Sequence, residues 1–124
     1  MSAQIASPLF TIETLQKAMN QHDINAFVDC IDPGYQSEQP IHPNRAFSGN
    51  EQVRKNWTGI FNDIPDNQAD LLRFAIDGDV AWTEWHWHGT RVDHTSFEMR
   101  GVIIMGVRNG CIVWGRLYME PVER

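Results

Sequence analysis

A chain of 124 residues, 42% apolar and 21% charged, is long enough for one hydrophobic core and far from the composition of a disordered segment. Its net charge of −6, with ten lysines and arginines scattered along it, excludes the basic face that a nucleic acid or an anionic membrane surface requires. No apolar run approaches the roughly 20 residues of a membrane span, and Met1 to Pro8 has neither the basic start nor the apolar run of a secretory signal. Cys30 and Cys111 read as free thiols, as expected of a cytoplasmic protein.

Ser7-Pro8 reads as a cap followed by proline in the first helical turn, and Ile12, Leu15, Ala18 and Met19 then recur at helical spacing until about Asn20. Asp23 caps a second, short helix carrying Ile24, Phe27, Val28 and Ile31, stopped by Asp32-Pro33-Gly34. Tyr35 to Gln39 suits a short strand. Pro40 and Pro43 bound a loop that holds His42. Ser48-Gly49-Asn50-Glu51 has the form of a capping box, in which the serine takes a backbone N–H and the glutamate returns one. The third helix puts Val53, Trp57, Ile60, Phe61 and Ile64 on one face, and Pro65 ends it.

After Gln68 the pattern is strand. Asp77-Gly78 and Asn109-Gly110 are hairpin signals, because a type I′ turn needs positive φ at both central residues. They divide the region into Ala69–Ile76, Asp79–Arg91, Thr95–Arg108 and Cys111–Met119. Helices followed by an antiparallel meander make an α+β plan, a single domain over residues 1–124 with the helices on one sheet face.

Two-residue loops pair Ile76 with Asp79 and Arg108 with Cys111, which sets the expected register. The middle hairpin around Gly89 to His94 has no clear turn type; the parity adopted places Trp85 and Trp87 beside Arg100 and Glu98. The inner face then carries Leu72, Phe74, Trp85, Trp87, Glu98, Arg100, Val102, Ile104, Leu117 and Met119. The outer face carries Trp82, Glu84, His86, His88, Met99, Ile103, Met105, Trp114, Arg116, Tyr118 and Glu120. Charge mixed with large aromatics suits a partner, so a homodimer through the outer face is expected.

The order of elements, the Gly49-containing helix entry, the segment Trp85-His86-Trp87-His88-Gly89-Thr90-Arg91 and the final Gly110 to Glu120 resemble the NTF2-like superfamily, and within it the SnoaL-like relatives of polyketide cyclases. The resemblance spans about Thr11 to Glu120. It implies a curved sheet wrapped over helices, an apolar pocket at the open end of a cone, and dimers through the outer sheet face. It does not imply one reaction, because this scaffold hosts isomerases, dehydratases, cyclases, epoxide hydrolases and binders. Ketosteroid isomerases use a tyrosine and two aspartates where this chain has Leu15, Gln39 and Val102, none of which can do that work, although Glu38 stands one residue from the base position. The arginine and two aspartates of limonene-epoxide-hydrolase-like members fall on Trp85, Trp87 and Leu117, which are equally unsuited.

The candidate chemical groups are therefore Arg100 and Glu98 on the inner face and His42 in the loop that borders the pocket mouth in this fold. A buried charge is costly unless paired, so Arg100 is expected to meet a ligand oxygen or a structural partner. His42 has the near-neutral pKa of an acid–base catalyst. Tyr35, Gln39, Trp57, Trp85, Trp87, Val102, Leu117 and Met119 are expected to line the pocket, which would favour a flat apolar ligand. Glu84, His86 and His88 alternate on the outer face and could ligate zinc or iron, but that face offers no shielding cavity, so neither metal nor cofactor is expected. The expected function is isomerase, cyclase or dehydratase chemistry on a small hydrophobic, carbonyl-bearing molecule. The alternative is a non-catalytic binding or dimerisation protein of the same fold. The two differ in whether several titratable groups converge inside the cavity.

Overall fold

Residues 7–124 are described by the computed structural model; the reading of the N-terminus as free of a secretory signal falls chiefly on residues 1–6, outside them. Ser7 accepts a hydrogen bond from the Phe10 amide, and Pro8 occupies the first turn of α1 (Pro8–Gln21). The helix closes on His22 in a left-handed conformation, φ 54°, whose N–H reaches back to the Ala18 and Met19 carbonyls. Asp23 caps α2 (Ile24–Asp29) by accepting from the Ala26 amide. Ile31, expected in that helix, instead opens β1 (Ile31–Glu38), where it pairs with Ile112. No helix among the described residues is long and apolar enough to cross a membrane.

The expected capping box does not form. Ser48 lies in the two-residue β2 (Phe47–Ser48), and its hydroxyl donates to Gln36 Oε1 at 2.8 Å. Gly49, φ 92°, leads into α3 (Asn50–Asp63) instead, and its N–H meets the Tyr35 carbonyl at 2.7 Å. Only glycine takes that φ without strain, so the chain turns there and the serine is left for the sheet.

The remaining strands are β3 (Gln68–Asp77), β4 (Val80–Thr90), β5 (Ser96–Arg108) and β6 (Cys111–Pro121). The six strands lie in the order β2-β1-β6-β5-β4-β3. β3 to β6 form the expected antiparallel meander, but β1 joins β6 in parallel, so the sheet is mixed. Three helices cover its inner face, with Ile12, Leu15, Ala18 and Met19 of α1 in the core. Each large side chain on that stripe gains about 1.5–3 kcal/mol on leaving water.

Two irregularities correct the expected register. The first hairpin turns at Gly78-Asp79, with Asp77 opposite Val80, and β3 bulges between Leu71 and Arg73. Leu71 therefore faces Trp85, while Leu72 and Phe74, expected in the core, are exposed. At the last hairpin Asn109 and Gly110 both take positive φ and Arg108 pairs with Cys111, as expected. The pairing then steps from Val107–Ile112 to Gly106–Trp114, which leaves Val113 as an extra residue in β6. A one-residue step reverses the faces of β5 relative to β6. Ile103 thus meets Leu117, and Gly101 meets Met119. Trp85 and Trp87 point inward as expected, but the middle hairpin takes the opposite parity to the expected one: they pair with Gly101 and Met99, while Arg100 and Glu98 pair with His86 and His88. Glu98, Arg100, Val102 and Ile104 stand on the outer face, and Phe97, Met99, Ile103 and Met105 replace them inside.

Candidate functional site

Between the helices and the inner sheet face lies a cavity of about 270 Å³. Trp85, Ile103 and Met105 form its sheet wall; Leu15, Met19 and Trp57 close it from the helices. Trp85 is fixed by a short relay: its indole Nε1–H donates to Thr83 Oγ1, and that hydroxyl donates to the Ile103 carbonyl, each at 2.7 Å. Trp57 stands edge-on to Trp87, ring centroids 5.2 Å apart, and packs on Phe27 at 4.8 Å. Trp87 is 6% exposed, and its indole N–H is buried without an acceptor.

The polar wall comes from one strand. Alternation along β1 sends Tyr35 and Ser37 inward, and Gln39 follows just beyond its end. Tyr35 is buried, with its hydroxyl above Gly115, where a Cβ would sit 2.6 Å from that oxygen. Burial pushes the Tyr35 phenol above its ordinary value, and the Ser37 hydroxyl pulls the other way. The side chain therefore stays protonated at neutral pH, a hydrogen-bond donor in an apolar surround. Arg45 and Asn56 line the cavity from exposed positions at its mouth, where Arg45 Nη1 donates to Gln39 Oε1 at 3.2 Å.

Of the residues expected in the pocket, Tyr35, Gln39, Trp57, Trp85, Trp87, Leu117 and Met119 line it. Val102 does not, because its pairing with Glu84 and Tyr118 puts it on the outer face. His42, Arg100 and Glu98, the expected chemical groups, are also outside. His42 Nε2 lies 3.0 Å from Glu120 Oε2, an outer-face carboxylate. Arg100 is exposed, opposite His86 and Glu120. Glu98 meets His86 Nε2 at 2.7 Å and accepts from Arg124 at 2.7–3.0 Å. Ser37, Arg45, Asn56, Met99 and Ile103 line the cavity unforeseen. The Tyr35-x-Ser37-x-Gln39 alternation was the signal that could have found Ser37. No aspartate, glutamate, histidine or lysine of the described residues lines the cavity.

Solved structures share this architecture. IdmH of Streptomyces antibioticus, provisionally described as a polyketide cyclase, superposes with a TM-score of 0.78 at 22% identity, over 94% of this chain and 92% of that one. A Bacillus subtilis protein provisionally described as an isomerase gives 0.79 at 15% identity, over 91% and 86%. A Catenulispora acidiphila protein with a ketosteroid isomerase-like fold, solved with trimethylamine, gives 0.74 at 14%, over 90% and 85%. None of the curated proteins compared matches the chain. These likenesses establish the α+β cone of NTF2-like proteins as the fold. The family model for the SnoaL-like domain matches residues 12–114. With that match over most of its length, the chain belongs to the SnoaL-like domain family.

Proposed function

We propose that the cavity binds a small hydrophobic molecule bearing a carbonyl group and promotes its isomerisation or ring closure. Tyr35 carries this reading: a phenol held protonated by burial in an otherwise apolar wall is a donor suited to a carbonyl oxygen or to the enolate formed from it. Trp87 supports it, because a buried N–H without an acceptor is costly and a ligand oxygen would satisfy it. Arg45 at the mouth suits a polar or anionic end of the same ligand. With no carboxylate or imidazole among the described lining residues, the protein would act by folding the substrate and polarising its carbonyl through Tyr35, while water entering at the mouth takes the proton from the acidic C–H and returns one to the product.

The same observation favours non-catalytic binding as the second reading. Titrating planar aromatic ketones against tryptophan fluorescence tests both, since Trp57, Trp85 and Trp87 line the cavity. Tyr35→Phe should weaken binding by about 0.5–1.5 kcal/mol and lower any turnover by about 10²–10³-fold. Binding that weakens with no turnover in the wild type selects the second reading. Fluorescence that never responds, in either protein, removes both. The outer sheet face, with Trp82 and Tyr118 exposed, is proposed to pair two copies of the chain.

A further inference from the structure

The outer face carries a second cluster of chemical groups, made where β3, β4 and β5 lie side by side. Strand alternation puts His86 and His88 on this face, and pairing sets Asp70 of β3 directly opposite His86. We propose that Asp70, His86 and His88 bind a borderline divalent transition-metal ion, zinc by the chemistry of the donors.

Asp70 Oδ2 lies 2.9 Å from His88 Nε2 and 3.9 Å from His86 Nδ1, and one donor atom from each residue falls within 4.8 Å of the others. Zinc bonds of about 2.0–2.2 Å need donors about 3.0–3.5 Å apart, so side-chain rotations of about 1 Å draw the three donors in. Two imidazoles and one carboxylate suit zinc, cobalt or nickel better than magnesium or calcium.

The orientation of His86 is already set. Its Nε2 lies 2.7 Å from Glu98 Oε2, and Glu98 is gripped in turn by the Arg124 guanidinium. Arg124 donates to both Glu98 oxygens, so this carboxylate accepts and the His86 nitrogen facing it donates. With Nε2 turned to Glu98, Nδ1 is the nitrogen left for a metal, on the side of Asp70. A carboxylate behind a ligating histidine is the usual outer support of a metal site. Glu84, the third ligand suggested by sequence alternation, is taken by Arg73 at 3.1 Å. Arg100, across from His86, opposes a cation and moderates the affinity. His88 and Asp70 side chains are 40% and 52% exposed, so an ion has access and keeps at least one water.

The test uses chelator-treated protein, titrated with zinc by calorimetry and with cobalt by visible d–d absorption. The wild type should take up about one ion per chain, with cobalt bands of nitrogen coordination. His88→Ala and Asp70→Asn should each abolish this saturable step, and Glu98→Gln should weaken it by about 10–100-fold. His42→Ala, elsewhere on the surface, should leave it unchanged. Circular dichroism establishes that each variant folds, and His88→Gln replaces any that does not. A wild type without saturable uptake overturns the proposal. So does uptake insensitive to His88 and Asp70, or lost equally with His42.

Discussion

Burial raises the pKa of two interior groups among the described residues, Tyr35 and Cys30. Cys30 is 5% exposed, with its thiol on the Ala26 carbonyl at 3.4 Å. Desolvation first, then the neighbouring Cys111 and Asp29, push it from 9.0 up to about 11. An unfolded chain ionises this thiol near its ordinary value, while the folded chain holds the proton to about 11. The folded state is therefore favoured fully below the unfolded pKa and loses that advantage as pH rises between the two. Tyr35 acts with the same sign. The melting temperature should fall across that window, and Cys30→Ala should flatten the fall; an unchanged slope would contradict the account. In native protein at about pH 8, an alkylating reagent should label the half-exposed Cys111 and spare Cys30, which mass spectrometry reads directly.

At the scale of the element, small departures from regular pairing decide what the cavity contains. Val113, extra in β6, rotates the β5 faces by one residue, and Leu72 does the same within β3. Gly101 lies where β5 passes Trp85 on one side and Met119 on the other. A Cβ there would stand 2.1 Å from the Tyr118 carbonyl oxygen and 2.8 Å from the Met119 Cα, both backbone atoms with nowhere to go. Gly101→Ala should destabilise the protein by about 1–3 kcal/mol, the usual cost of overpacking. Urea denaturation measures it; a midpoint within error of the wild type would mean that β5 can slide on β6. Gly106 makes a different approach, lying against the Trp114 indole, whose ring can rotate away.

For the whole molecule, the outer sheet face is the surface least easily left in water. Trp82 is 48% exposed, Tyr118 36%, and the Arg116 guanidinium lies 5.6 Å from the Trp114 ring. Aromatic and arginine side chains of this kind concentrate at interfaces. Light scattering at micromolar concentration should give twice the chain mass. Trp82→Glu should return it to one chain with the helical signal intact, because Trp82 is exposed whereas Trp114 rests on Gly106. A wild type that stays monomeric at high concentration removes the dimer.

Capping and periodicity are local, so Ser7, Asp23 and the stripe from Ile12 to Met19 disclosed their helices in the sequence, and Asn109-Gly110 disclosed its turn. The alternation of Trp85 and Trp87 likewise disclosed an inward row, and with it the aromatic part of the cavity. The face of β5 was not local. Strand side chains repeat every two residues, so the one extra residue at Val113 reverses every later assignment, and no residue type marks it. That step, together with a middle hairpin that pairs Trp85 with Gly101 rather than with Arg100, carried Arg100, Glu98 and Val102 out of the expected pocket and brought Met99 and Ile103 in. The composition and pattern of the chain determined the elements and their α+β assembly; the tertiary structure decided which charges meet the cavity, because pairing across strands, not sequence spacing, chooses the face.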